Sequence, residues 1–128
     1  METCAARDVP REMAKLLAWY KEAEKTFETL LDLHVRFEAI HPFQDGNGRV
    51  GRLILLKECL KHGHVPFVIA ESLRQFYYRG LCEWRQGRQT RLLETFRAGQ
   101  DVSALALRTF GYAALADKAE VEIGSRSS

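Results

Sequence analysis

The sequence predicts an all-α fold, a compact helical bundle with no substantial sheet. Three observations predict it. Apolar residues recur at three- and four-residue spacings along nearly every segment. No stretch shows the two-residue alternation of a convincing hairpin. Breakers such as Gly63 and Pro66 fall between the periodic segments rather than inside them. The 128 residues, 46% hydrophobic and 28% charged, suit one globular domain and exclude a disordered, collagen-like or mucin-like chain.

The first helix is expected from about Val9 to Glu24, with Val9, Met13, Leu16, Leu17 and Tyr20 at helical spacing and Asp8-Val9-Pro10 as its start. A second runs from about Thr26 to Ile40 with Phe27, Leu30, Leu31, His34 and Phe37 on one side. A third covers residues 48–62 and ends at Gly63, which suits the left-handed turn that closes many helices. Residues 64–69 are an extended connection, since Pro66 disfavours helix before it. A fourth helix is expected over about 71–85, using Leu73, Phe76, Tyr77, Leu81 and Trp84; a fifth covers about 88–98 and a sixth about 102–118. Residues 1–8 and 119–128 read as flexible tails.

Composition narrows the function classes. Cys4, Cys59 and Cys82 are odd in number and far apart, without CxxC spacing, so a zinc site or disulfide framework is disfavoured and a reducing, cytoplasmic setting is expected. The run Leu53-Ile54-Leu55-Leu56 is far too short to span a membrane, and the first twenty residues hold no signal-peptide core. The net charge of +2 conceals an uneven distribution. Residues 41–100 carry ten Lys or Arg and five Asp or Glu, whereas the flanks are slightly acidic. A phosphate-bearing ligand would favour that basic middle. Nucleic acid is disfavoured, because Arg85, Arg88 and Arg91 lack aromatic interleaving and read as a solvated face.

The chemistry concentrates in His41-Pro42-Phe43-Gln44-Asp45-Gly46-Asn47-Gly48-Arg49-Val50-Gly51-Arg52. Its Asp-Gly and Asn-Gly pairs favour hairpins, but the flanks are helical. Gly46 to Gly51 matches GxGxxG, yet no strand precedes it and no βαβ unit surrounds it. Zinc on His41 and Asp45 would lack a third ligand. What remains is a helix, a Gly-rich turn and a second helix. A helix N-terminus offers unpaired N–H groups and positive dipole to an anion, and Gly46 and Gly48 allow close backbone approach. Arg49 and Arg52 share a helix face and lean toward that N-terminus. Asp45 is a hard oxygen ligand suited to Mg²⁺ on phosphates. His41 is the candidate base, histidine being the side chain that ordinarily titrates near physiological pH. These parts suit nucleotide phosphoryl-type chemistry.

Residues His41 through Arg52 resemble the Fic-domain motif, HxFx(D/E)GNGRxxR, at every defined position. The likeness extends over residues 9–100 as a Fic-type catalytic core, with residues 101–118 as a generic C-terminal helix. It implies a bundle with the active-site loop between two core helices, and a protein adenylyltransferase that moves AMP from ATP to a hydroxyl of a target protein, releasing pyrophosphate. The related Doc-type motif, which transfers phosphate, has Ala-Asn-Lys where this chain has Gly46-Asn47-Gly48. By the resemblance, His41 takes the proton from a Ser, Thr or Tyr hydroxyl of the target. Asp45 holds Mg²⁺ between the α- and β-phosphates, and Asn47 binds the α-phosphate with the amides around Gly46 and Gly48. Arg49 contacts the β-phosphate side, Arg52 the γ-phosphate, and Phe43 is a buried anchor for the loop.

Two departures qualify the resemblance. Fic enzymes commonly carry a β-hairpin flap before the first core helix, and about eight residues precede Val9. No glutamate is followed by Gly or Asn, so the inhibitory pattern (S/T)xxxE(G/N) is not matched. A separate chain supplying flap or inhibitor is therefore expected. The alternatives are a Fic fold that binds nucleotide or a partner without turnover, and a Fic enzyme that removes AMP or transfers another nucleotide or phosphocholine. Elsewhere, His34 and Cys59 read as core, His62 and His64 as a solvated helix end, and Tyr77 and Tyr78 as packing.

Overall fold

A computed structural model describes residues 3–111 and 113–125. It comprises two units, Met1–His62 and Gly63–Ser128. Among the described residues the regular structure is entirely helical.

The first unit opens with a 3₁₀ turn, Ala6–Asp8, that runs directly into helix α1, Val9–Glu22. Pro10 lies in the first turn of α1, where its missing N–H deprives no helical carbonyl. The end of α1 is capped by Lys25, whose Nζ donates to the carbonyls of Tyr20 and Ala23 while lying 4.5 Å from the Tyr20 ring centroid. Helix α2, Phe27–Ile40, starts at Thr26, whose Oγ1 accepts the Thr29 N–H at 3.1 Å. It is the central helix of the unit: Leu30, Leu31, Leu33, His34, Val35, Phe37, Glu38 and Ile40 are all buried. Each fully buried Leu contributes roughly 1.5–3 kcal/mol, so α2 dominates the cohesion of this unit. α1 packs on it through Leu16 and Tyr20, and Arg36 of α2 covers the Trp19 ring at 4.0 Å. Leu17, expected on the apolar face, is exposed. Cys4 ties the N-terminal segment to the last turn of α2, its N–H on the Ala39 carbonyl and its Sγ on that of Ile40. Helix α3, Asn47–Lys61, closes the unit against α2.

The second unit begins with the predicted extended segment, which is anchored on a later helix. Val68 N–H donates to the Gly99 carbonyl, and Gln100 Nε2 donates to that of Val65 at 3.0 Å. A 3₁₀ turn, Glu71–Leu73, precedes helix α4, Arg74–Arg85. Helix α5, Thr90–Thr109, packs against it, Gly80 facing the Leu92 backbone too closely for any side chain. Phe96 is the centre of this core, edge-on to Phe67 at 4.9 Å and to Tyr77 at 6.0 Å. Helix α6, Ala113–Ser125, follows the left-handed turn at Gly111.

The C-terminal helices correct the sequence expectation. Gly99 lies inside one continuous 20-residue helix rather than between a fifth and a sixth helix. It is glycine because Val68 O lies 2.4 Å from where its Cβ would be. The break comes instead at Gly111, and the last helix extends to Ser125, beyond residue 118. Residues 126–128 of the expected tail lie outside the described residues.

Candidate active site

The motif occupies the turn between α2 and α3 in the first unit. α2 ends at His41, whose N–H donates to the Phe37 carbonyl at 3.0 Å in a left-handed conformation (φ 56°, ψ 60°). Among the described residues it is the one non-glycine with positive φ. That conformation costs an L-residue roughly 1–2 kcal/mol, and it turns the chain sharply out of α2 with the imidazole at the surface.

The loop is closed by Asn47. Its Oδ1 accepts the Phe43 N–H at 2.9 Å, and its Nδ2 donates to the Phe43 carbonyl at 2.7 Å. Asn47 is 3% exposed, so the side chain expected on the α-phosphate is instead buried as the clasp of the loop. Phe43 also departs from expectation. It is 50% exposed, its ring touching only the edge of the core at 6.5 Å from Phe37, and its anchoring is done by its backbone.

Gly46 is left-handed (φ 76°) and caps α3 without a side-chain hydrogen bond. The first helical bond runs from Val50 N–H to the Gly46 carbonyl at 3.0 Å. The N–H groups of Asn47, Gly48 and Arg49 therefore precede the helical ladder, a donor arrangement that suits an anion. Asp45 is exposed, with Oδ1 accepting the Gly46 N–H at 2.8 Å. Arg49 is exposed. Arg52 is half-buried and leans back along α3, with Nη1 3.1 Å from where a Cβ on Gly48 would lie. The structure thus places His41, Asp45, Gly46, Gly48, Arg49 and Arg52 on one turn, with Asn47 beneath it. Among the described residues no group of three or more His, Cys, Asp or Glu side chains could hold a metal by itself.

Two buried ionisable groups support this turn. His34 is 2% exposed, with Nδ1 3.2 Å from the Gly51 carbonyl, the satisfied core histidine the sequence predicts. Burial lowers its pKa to about 4; the Gly51 hydrogen bond opposes that shift, and the charge of Arg52 adds a smaller lowering. Glu38, which the sequence reading passed over, is buried with Oε1 2.1 Å from where a Gly51 Cβ would be. Burial raises its pKa to about 7 against the opposing pull of Arg52. Its signal in the sequence was faint: one acid on the apolar side of α2, four residues after His34.

The remaining candidates resolve simply. His62 pairs with Glu58 at 3.2 Å and His64 lies 3.7 Å from Glu122. Cys59 is fully buried. In the second unit Arg91 is bonded to Glu83 at 2.8 Å beside an open groove of about 610 Å³, so it is more than a solvated cation. No described helix is long and apolar enough to cross a membrane.

Residues 1–59 match the model of the Fic/DOC family. Over 82 residues, 62% of this chain, it is 35% identical to an Aquifex aeolicus protein named "Probable protein adenylyltransferase", covering 25% of that protein. It is 30% identical over 77 residues, 57% of the chain, to the protein adenylyltransferase fic-1 of Caenorhabditis briggsae, covering 15% of it. The protein adenylyltransferase Fic of Drosophila virilis is 40% identical over 48 residues, 38% of the chain and 10% of the relative. The chain therefore spans a quarter or less of the length of these relatives. The family model stops inside α3 and covers the motif turn, and residues 1–59 of the first unit are similar to the Fic/DOC family.

Proposed function

We propose that this turn is the nucleotide site of a protein adenylyltransferase core. The observation that carries the reading is the preformed cradle: three N–H groups at the start of α3 outside the helical ladder, with Arg52 drawn back over Gly48. A polyphosphate matches both the donors and the cations. His41, at the other end of the five-residue loop, is the base proposed for an incoming hydroxyl.

The reaction follows. ATP lies with its α-phosphate on the α3 N-terminus and its outer phosphates toward Arg49 and Arg52. His41 takes the proton of a Ser, Thr or Tyr hydroxyl on the target protein. The hydroxyl oxygen bonds to the α-phosphorus while the bond from that phosphorus to the pyrophosphate oxygen breaks, and pyrophosphate leaves with the electron pair. The cradle N–H groups stabilise charge building on the α-phosphate oxygens. Asn47 contributes by holding the loop that aims them. A lone exposed carboxylate suits Mg²⁺, which takes one or two carboxylates and completes its shell with phosphate oxygens and water. Asp45 would hold it, and the ion would neutralise charge on the leaving pyrophosphate.

Gly46-Asn47-Gly48, in place of the Ala-Asn-Lys of the phosphate-transferring Doc-type motif, supports transfer of AMP rather than phosphate. Labelled ATP and Mg²⁺ with a cell lysate test the proposal. α-Labelled AMP is expected on protein with the wild type and lost in His41→Ala. Unimpaired ATP binding without any label transfer would overturn it in favour of a nucleotide-binding module.

A further inference from the structure

Glu38 is unused by the chemistry just described, yet its placement is costly. It lies in the last turn of α2, where the helix dipole opposes a negative charge and no basic residue offsets it. It is 6% exposed, and its Oε1 has no hydrogen-bond partner among the described residues. A buried carboxylate in that condition needs a counter-charge or a proton.

The geometry of α3 brings a candidate for the first to the neighbouring turn. Gly48 and Gly51, three apart on α3, leave two successive notches where side chains are missing. The Arg52 guanidinium fills the notch at Gly48, and the Glu38 carboxylate fills the one at Gly51. Of the ionisable neighbours, Arg52 from α3 supplies the opposing charge, His34 on α2 is buried and held neutral, and no charge from α1 contributes to the shift. The N-terminal segment brings only the Cys4 backbone and thiol, both engaged with α2 carbonyls.

We propose that Glu38 is the resident counter-charge of Arg52, and that a nucleotide polyphosphate seated at the α3 N-terminus brings a proton onto Glu38. This rests on the nucleotide reading above. Phosphates engage the Arg52 charge and add negative charge of their own, so the carboxylate loses its compensation and becomes neutral. Proton uptake on binding means that affinity rises as pH falls and weakens as pH rises. Burial already places the carboxyl near neutrality, so the effect falls within the physiological range.

Calorimetry of ATP binding to the full chain with Mg²⁺, in two buffers of different ionisation heat, reads the proton directly. Near neutral pH the wild type is expected to take up a fraction of a proton more than Glu38→Gln does. Glu38→Gln is expected to bind ATP about threefold or more tightly than wild type near pH 8 and equally near pH 6. Equal uptake by both proteins, with ATP binding intact, overturns the role of Glu38 alone. Failure of the wild type to bind ATP at any pH overturns the nucleotide reading and this inference together. Carboxyl NMR of wild-type Glu38 gives a measurement that needs no variant: its titration midpoint moves up when ATP is added, and an unmoved midpoint overturns the inference.

Discussion

Asn47 holds Phe43 by both of its backbone polar groups, accepting its N–H at 2.9 Å and donating to its carbonyl at 2.7 Å. One side-chain amide thus closes the loop that separates His41 from the α3 N-terminus. The pairing demands an acceptor and a donor on the same planar group, which only Asn offers at this length.

Asn47→Ala removes both bonds and leaves Phe43 unpaired at a part-buried position, so it is expected to lose about 1–3 kcal/mol of stability and much of its ATP affinity. Asn47→Asp is expected to do no better, although it matches in shape. Its second oxygen would face the Phe43 carbonyl, acceptor against acceptor. Thermal unfolding of the two variants alongside wild type checks this; an Asp variant with wild-type stability would show that the clasp does not form.

Much of the candidate site was legible because a glycine-rich turn that opens a helix permits few residue types. His41, Asp45, Gly46, Gly48, Arg49 and Arg52 each follow from conformational freedom, charge or helix spacing. What was not legible depended on contacts between segments distant in sequence. Periodicity could not show that Gly99 admits the Val68 carbonyl, so a close approach read as a helix break. Nor could it show that Gly51 admits Glu38. Asn47 was assigned by resemblance to the ligand, and only the backbone partners of its side chain place it in the loop.

The two glycines of α3 should separate binding from stability. At Gly48 an added methyl meets the flexible end of Arg52, and Ala is about 1 kcal/mol better than Gly in a helix. Gly48→Ala is therefore expected to keep or gain stability while displacing Arg52 and weakening ATP binding. At Gly51 the methyl would lie 2.1 Å from Glu38 Oε1 and 3.1 Å from Phe37 Cδ1. Gly51→Ala is expected to lose about 1–3 kcal/mol, with part regained in the Glu38→Ala, Gly51→Ala double variant. Denaturant titrations and ATP affinities measured side by side would show whether the two losses separate.

His41, the proposed base, also sits in a strained conformation. Gly adopts its left-handed conformation without the Cβ penalty, so His41→Gly is expected to be more stable than His41→Ala by about 1 kcal/mol. Neither variant should transfer label. A glycine variant less stable than the alanine one would mean that the imidazole contributes to folding beyond its conformation.

The acid behaviour of the first unit should reflect two opposed buried groups. His34 has a folded pKa of about 4 against an ordinary 6.5, so between these values the unfolded state binds more protons, and stability falls as pH is lowered through that window. Glu38 has a folded pKa of about 7 against 4.5, so there the folded state binds more protons, and stability falls as pH is raised from 4.5 to 7. Each full effect is on the order of 3 kcal/mol. Where the windows overlap the slopes oppose, and the wild type is expected to vary little in stability from about pH 4.5 to 6.5. Glu38→Gln removes one of the pair and should expose a clear rise in stability with pH across the same range. Denaturant unfolding of both proteins at half-unit steps checks the sign, and parallel profiles would exclude Glu38 as the balancing group.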